Sequence, residues 1–527
     1  WSPDGRHIAY TSAWDPENPD ETAPDPNAPP RARVVRRFDY KSDGRGYLGD
    51  KRNQLWVVDV ESGKRRRLTG EPFDHGAPSW SPDGLTIATS IATTFGSQLG
   101  LIDVLTGAVR KFGTASDHSG SPAFSPSGAQ IVYTNDPGRT GQPDIYLLDV
   151  ASGASRQVTE ELEMLPAGGF MGGARVWEDE RHVLFPGMYH GGSGLYELDI
   201  QSGAVERIAH WQTQQSGLSL DASKRYVVQA YNALDATGEI SVYDRQRDSL
   251  AVITRFNAEL LDEAKPADWE LVTIERAGFT IEGWLLRPAD FDPVKRYPLV
   301  LSIHGGPQGM YGYGFNALNE VYATNGFFVL ACNPRGSVTY GRAFTQAVLH
   351  DWGGEDRKDL MALLDKVLER PEIDAERTGM FGYSYGGYMT SWLLGQTSRF
   401  KACVCGAPVF DIESEIGTSD ISFNADDHQW GGRPHENKEW YETHSSSYFA
   451  HRATTPTLII QGEADIRCPV GQAEELFVAL KQAGVETVFA RYPGGYHGFI
   501  RTGPPTHRED VLERSLGWFK SHLGEPE

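Results

Sequence analysis

Cysteine is scarce in this chain: four residues in 527, Cys332, Cys403, Cys405 and Cys468, all in the second half. So few in so long a chain make no disulfide framework, and a reducing, cytoplasmic compartment is expected. Cys403 and Cys405 alternate along one predicted strand, Lys401–Ala407, and read as small buried apolar residues on opposite faces of a sheet rather than as a metal or redox pair. Long apolar runs are missing as well: no stretch reaches the roughly 18 residues that a membrane-spanning helix needs, so no membrane partner is expected. Positive charge is in deficit, with 49 Lys and Arg against 71 Asp and Glu and a net charge of −22, which disfavours non-specific binding of nucleic acid. There is no G-x-x-x-x-G-K phosphate loop and no H-E-x-x-H, and His428, His435 and His444 lie in a polar segment without ligand spacing. No metal and no cofactor are therefore expected. No charged-then-apolar leader follows Trp1.

What is present begins with a repeat. A chain of 527 residues is too long for one hydrophobic core, and its first half is self-similar at a period in the mid-forties. Trp1-Ser-Pro-Asp-Gly5 recurs as Trp80-Ser-Pro-Asp-Gly84 and, looser, as Phe124-Ser-Pro-Ser-Gly128. A second motif is an apolar strand ending in aspartate and followed by Ser-Gly or Thr-Gly. Its aspartates, Asp59, Asp103, Asp149, Asp199 and a degenerate Asp244, fall 44, 46, 50 and 45 residues apart. Each unit is about four short strands, the size of a β-propeller blade, and five copies are visible over residues 1–262. The first copy carries an insertion from Trp14 to about Arg52. Its proline- and acid-rich start reads as a mobile surface loop; the functional alternative is a flap that leans on the second domain or on another subunit and controls entry. The glycine-rich stretch 168–173 follows no strand-to-helix pattern and carries no phosphate-site reading.

The blade rhythm stops near Leu260–Pro266, and residues 263–527 alternate apolar strands with amphipathic helices, the pattern of a doubly wound, mostly parallel sheet opened by an antiparallel pair. Within it, Gly382-Tyr-Ser384-Tyr-Gly386 lies between a predicted strand and a predicted helix, the setting of an α/β-hydrolase nucleophile elbow. Two later strand ends supply partners in the order such enzymes use: Asp465 in Gly462-Glu-Ala-Asp-Ile-Arg467, with Glu463 as its nearest competitor, and His497 in Gly494-Gly-Tyr-His-Gly498. A serine hydroxyl needs a base to become a nucleophile, and the base needs an acid to hold its tautomer. His507 and His522, at or within the last helix, read as solvent-facing. His304-Gly-Gly-Pro307 closes an earlier strand in the position of an oxyanion loop. That loop would supply one backbone N–H and Tyr385, the residue after the serine, the other, and His304 reads as structural.

Taken together, the repeats, His304-Gly-Gly-Pro, Gly382-Tyr-Ser-Tyr-Gly-Gly-Tyr388, Gly462-Glu-Ala-Asp-Ile-Arg-Cys-Pro469 and Tyr496-His-Gly-Phe499 resemble the prolyl oligopeptidase family of serine peptidases, and within it the acylaminoacyl-peptidase (acylpeptide hydrolase) branch. The resemblance implies the triad Ser384, Asp465 and His497, and oxyanion donors at Gly306 and Tyr385. It also implies a substrate-binding Arg467, whose plainer role is a salt bridge fixing the acid loop. It implies a propeller covering the site so that short peptides are cleaved, with release of an N-acylated amino acid, and assembly as a homo-oligomer. It further implies a ring of about seven blades, roughly two of them before Trp1. His304 departs from the tyrosine of prolyl oligopeptidase itself, so strict prolyl specificity is not implied. The other readings are carboxypeptidase, dipeptidyl-peptidase, oligopeptidase and, outside the peptidases, esterase action. Arg31–Arg37 would hold a free carboxylate in the first of these, and Asp426 and Asp427 a free amine in the second.

Overall fold

The computed structural model describes residues 1–20, 22, 29, 32–166, 175–424 and 426–525, the side chains of 424, 426 and 427 excepted. The glycine-rich stretch 168–173, Arg31 and the carboxylates of Asp426 and Asp427 thus lie outside the described residues. The chain divides into two compact units, one of Trp1–Tyr40, Tyr47–Tyr231 and Gly238–Phe256, the other of Lys41–Gly46, Asn232–Thr237 and Asn257–Glu527.

The first unit consists of five small antiparallel sheets, of three, four, four, five and four strands in chain order, which are five blades of a β-propeller. The repeated aspartates explain the repeat. At the end of a blade strand, Asp59, Asp103 and Asp149 each accept the N–H of the Ser or Thr three residues on, at 2.7, 2.7 and 2.8 Å. The glycine that follows takes φ of +68°, +75° and +73°, a conformation that costs other residues about 1–2 kcal/mol. Asp244 closes its turn without glycine, and Asp248 carries the positive φ instead, which is why the fifth copy reads as degenerate. The long insertion stands where a hairpin turn would be: His7–Trp14 pairs with Arg52–Asp59 down to Trp14 opposite Arg52. Within it, Arg37 grips Asp39 with two hydrogen bonds of 2.7 Å and Arg33 lies over the Tyr47 ring at 4.5 Å. A second, small hairpin pairs Lys41–Ser42 with Gly46–Tyr47, and its Lys41–Gly46 portion belongs to the second unit.

The second unit is built on one eight-stranded sheet. Its strands are β1 (Trp269–Arg276), β2 (Phe279–Leu286), β3 (Tyr297–Ile303), β4 (Phe328–Asn333), β5 (Ile373–Tyr383), β6 (Ala402–Gly406), β7 (Thr457–Gly462) and β8 (Thr487–Tyr492). They lie in the order β1-β2-β4-β3-β5-β6-β7-β8. β1–β2 and β2–β4 pair antiparallel, and all later pairs are parallel. β3, β4, β6 and β7 are buried at every position, as unbroken apolar runs require when helices cover both faces. The principal helices are α1 (Ala317–Thr324), α2 (Glu355–Leu368), α3 (Tyr385–Gln396), α4 (Val470–Gln482) and α5 (Pro505–Leu523). No helix among the described residues is long and apolar enough to cross a membrane.

All four cysteines are free and buried. The expectation that Cys403 and Cys405 face opposite sides is corrected: residues two apart on a strand point the same way, and both thiols meet Thr390 of α3. Burial pushes both thiols up, so they act as small apolar filling. His507 is likewise not simply solvent-facing. Its ring packs edge-on against Tyr492 and Phe499, while His522 reaches Glu486 at 3.4 Å.

Candidate active site

β5 runs to Tyr383, α3 starts at Tyr385, and Ser384 makes the turn between them with φ 66° and ψ −123°. A non-glycine residue at positive φ is strained, and such strain persists only where the surroundings over-determine it. Here the surroundings are the glycines. A Cβ on Gly382 would stand 2.1 Å from the Gly386 carbonyl oxygen, and one on Gly386 would stand 2.2 Å from that of Ile303. Only glycine lets strand, helix and neighbouring β3 approach this closely, and the serine hydroxyl is thereby lifted to the carboxyl end of the sheet.

His497 lies in the loop after β8, and its Nε2 is 3.0 Å from Ser384 Oγ. Its Nδ1 is 2.8 Å from Oδ2 of Asp465, in the loop after β7. Asp465 is almost fully buried, and its other oxygen accepts the N–H groups of Arg467 and Cys468, both at 2.9 Å. Both carboxylate oxygens are therefore committed, one to the loop and one to the imidazole. Glu463, the competing acid, instead pairs with Arg491 at 2.9 Å on the surface. An imidazole that meets a hydroxyl on one nitrogen and a fixed carboxylate on the other has the geometry for relaying a proton.

The loop after β3 passes directly beside the serine, since a Cβ on Gly305 would lie 3.2 Å from Ser384 Cβ. Gly306 takes φ +132°, and its N–H donates to no backbone carbonyl among the described residues. Tyr385 is the first residue of α3, so its N–H has no acceptor within the helix and lies at the positive end of the helix dipole. Its side chain points the other way: the phenol donates to Asp356, a buried carboxyl that desolvation pushes up to about 7. His304 is buried between the Gly305 carbonyl (2.7 Å from Nδ1) and Ser337 Oγ (2.9 Å from Nε2). Burial lowers its pKa to about 4, which keeps it neutral and structural.

Arg467 does not pair with Asp465. It grips Asp420, with Nε at 2.7 Å from Oδ1 and Nη2 at 3.2 Å from Oδ2. The side chain is one-third exposed, and Nη1 makes no hydrogen bond to the described residues.

Three residues here escaped motif reasoning. Tyr383 donates its phenol to the His497 carbonyl at 2.9 Å, and its place two residues before the helix was the one available signal. Asp420 holds Arg467. Asp43, on the small hairpin, accepts the His497 N–H at 3.1 and 3.0 Å through its two oxygens. Nothing in the sequence links Asp43 to residues more than four hundred positions away.

Residues 313–526 match the model of the prolyl oligopeptidase family, and residues 47–169 match that of the TolB beta propeller domain. The chain is 34% identical to the uncharacterized peptidase YuxL of Bacillus subtilis over 99% of its own length and 82% of that protein. It is 32% identical to dipeptidyl-peptidase 5 of Trichophyton schoenleinii, over 49% of this chain and 35% of the relative. The acylaminoacyl peptidase of Pyrococcus horikoshii has the same fold, with a TM-score of 0.83 at 24% identity, covering all of this chain and 81% of that one. The chain belongs to the prolyl oligopeptidase family of peptidases.

Proposed function

We propose that the protein is a serine peptidase acting on short peptides through an acyl-enzyme, with Ser384 as nucleophile, His497 as base and Asp465 as orienting acid. The observation that carries this reading is the unbroken contact series from Ser384 Oγ to His497 to buried Asp465, at 3.0 and 2.8 Å. Ser384 Oγ attacks the scissile carbonyl as His497 Nε2 takes its proton. The N–H groups of Gly306 and Tyr385 receive the oxyanion, and each such donor is worth about 10²–10³ in turnover. The same Nε2 then protonates the leaving amine, and water, deprotonated in turn by His497, releases the acyl group. The free Nη1 of Arg467 is suited to a substrate carbonyl beside the cleaved bond.

For the substrate, we favour removal of an N-acylated amino acid. The motif set resembles that branch, and His304 stands where a prolyl-directed site has tyrosine. The similarity of about half of the chain to dipeptidyl-peptidase 5 favours release of a dipeptide as the second reading. Carboxypeptidase action would rest on the arginines of Arg31–Arg37, of which Arg33 and Arg37 are engaged with Tyr47 and Asp39 while Arg36 is exposed.

The deciding experiment is product mass spectrometry on one peptide series with N-termini free or acetylated and C-termini free or amidated. The favoured reading predicts cleavage after the first residue of acetylated peptides, whatever the C-terminus. A dipeptide product from free N-termini alone supports the second reading, and loss of all cleavage on amidation overturns both. Ser384→Ala should lower every peptide cleavage by about 10⁶ in kcat; wild-type turnover in that variant would overturn the site itself.

A further inference from the structure

His497 is held at four points. Its ring nitrogens meet Ser384 and Asp465, and its carbonyl accepts the Tyr383 phenol. Its backbone N–H is bound by a carboxylate from a part of the chain 454 residues away. That carboxylate is Asp43. Its Oδ1 accepts from both the His497 N–H (3.1 Å) and the Ile466 N–H (3.3 Å), and its Oδ2 also lies 3.0 Å from the His497 nitrogen. Ile466 follows Asp465 directly. One side chain therefore bridges the acid loop and the histidine loop, which are also joined by the Ala464 N–H donating to the Gly495 carbonyl at 2.9 Å and by the Asp465–His497 contact.

The hairpin that carries Asp43 is itself anchored. The Asp43 N–H donates to Oδ2 of Asp420 at 2.8 Å, the same carboxylate that grips Arg467. The Lys41 ammonium donates to the Thr418 carbonyl, and Gly44 lies against the Tyr496 ring, where an added Cβ would be 3.5 Å from Cδ2. Asp43 is half-buried and is taken out of water beside the buried Asp465. Burying a carboxylate next to another carboxylate is unfavourable unless it is hydrogen-bonded to something that needs it. Here the N–H groups of two catalytic loops need it.

We infer that Asp43 is a positioning residue for the reaction: it fixes the separation of the Asp465 and His497 loops and so the reach of the imidazole to Ser384. The inference rests on the Ser384–His497–Asp465 reading above. It gives the Lys41–Gly46 part of the blade insertion a catalytic use, because a displacement of about 1 Å at a catalytic group can lower turnover by about 10². Asp43 also adds a negative charge near the imidazole, which favours the imidazolium formed during proton transfer. The other charged groups facing this point are Asp465, Asp420 and Arg467.

The test uses the full chain with Asp43→Ala and Asp43→Asn, measuring kcat, KM, melting temperature and the rate of inactivation by a serine-directed fluorophosphonate. Asp43→Ala is expected to lower kcat and the inactivation rate by about 10–100-fold with KM within about threefold and an unchanged cooperative melt. Asp43→Asn keeps one acceptor oxygen for the His497 N–H but no charge. It should recover most of kcat, as a role carried by the hydrogen bond to the His497 N–H requires. The inference is overturned if Asp43→Ala turns over within twofold of the wild type, or if its loss of rate follows only the fraction unfolded. Failure of the underlying reading looks different: the fluorophosphonate would then leave Ser384 of the wild type unmodified.

Discussion

Asp199 in the propeller and Asp465 in the hydrolase unit make the same local turn. In each, Oδ1 accepts two backbone N–H groups, from residues two and three positions on: Gln201 and Ser202 in one case, Arg467 and Cys468 in the other. In each, Oδ2 is left to reach a base: Arg181 in the blade, His497 at 2.8 Å in the hydrolase. The turn chemistry is thus common to both. The environment separates them. Asp199 is part-exposed at a strand end and pairs with a guanidinium that never gives up its proton. Asp465 is buried and faces an imidazole that can both take and give a proton and that meets a hydroxyl on its far side. A motif of this kind fixes a loop; only its burial and its partner make it chemistry.

Substituting both aspartates breaks the comparison most sharply. Asp465→Asn should lower kcat by about 10⁴, because the amide no longer enforces the imidazole tautomer that can accept the serine proton. Asp199→Asn should leave kcat within about twofold and lower the melting temperature slightly, since an exposed ion pair contributes little. Steady-state kinetics with thermal melts of both variants checks this, and a comparable loss of kcat in the two would erase the distinction.

Glycine gives the second contrast. Gly386→Ala places a Cβ 2.2 Å from the Ile303 carbonyl and 3.0 Å from that of His304, both backbone atoms that cannot move aside. It should cost about 1–3 kcal/mol of stability as an overpacked site and remove most activity by displacing the elbow. Gly63→Ala meets nothing within 4 Å, and its only penalty is φ +68°, about 1 kcal/mol with activity intact. Urea titrations alongside peptide assays separate the two.

These contrasts also explain how far the sequence could be read. The strands of the second unit were visible because both their faces are buried, which leaves unbroken apolar runs such as Leu299–Ile303 and Thr457–Ile460. The blades were visible because four of the five turns carry their own aspartate and glycine. Ser384, Asp465 and His497 stood out because each ends a strand within a local glycine-rich context, and the fold brings those three together. Asp465 was preferred over Glu463 on the family resemblance, and the burial of one and the Arg491 partner of the other give the physical difference between them. The pairing of Arg467 with Asp420, and the whole of the Asp43 bridge, depend on contacts across long stretches of chain that no local pattern encodes.

The smallest expected effect concerns pH. Glu415 lies buried near Asp465 and Asp420, with Ser422 Oγ 3.3 Å from one oxygen and the Ser419 hydroxyl beside it. Burial raises its pKa to about 8, so the folded protein holds a proton there that the unfolded chain releases near the usual glutamate value. The sign follows from linkage: the folded state binds more protons across this interval, so Glu415 makes stability fall as pH rises from about 4.5 to about 8. The blade aspartates act in the opposite sense. N–H and hydroxyl donors lower the pKa of Asp59, Asp103 and Asp149, so their contributions are present above the unfolded carboxylate range and are lost as pH falls; being exposed, they are small. Glu415→Gln preserves the shape and removes the proton. Its melting temperature should match that of the wild type near pH 5 and exceed it by a few degrees near pH 8, as measured by melts across that range. Parallel pH profiles for the two proteins would mean that Glu415 is ionised in the fold.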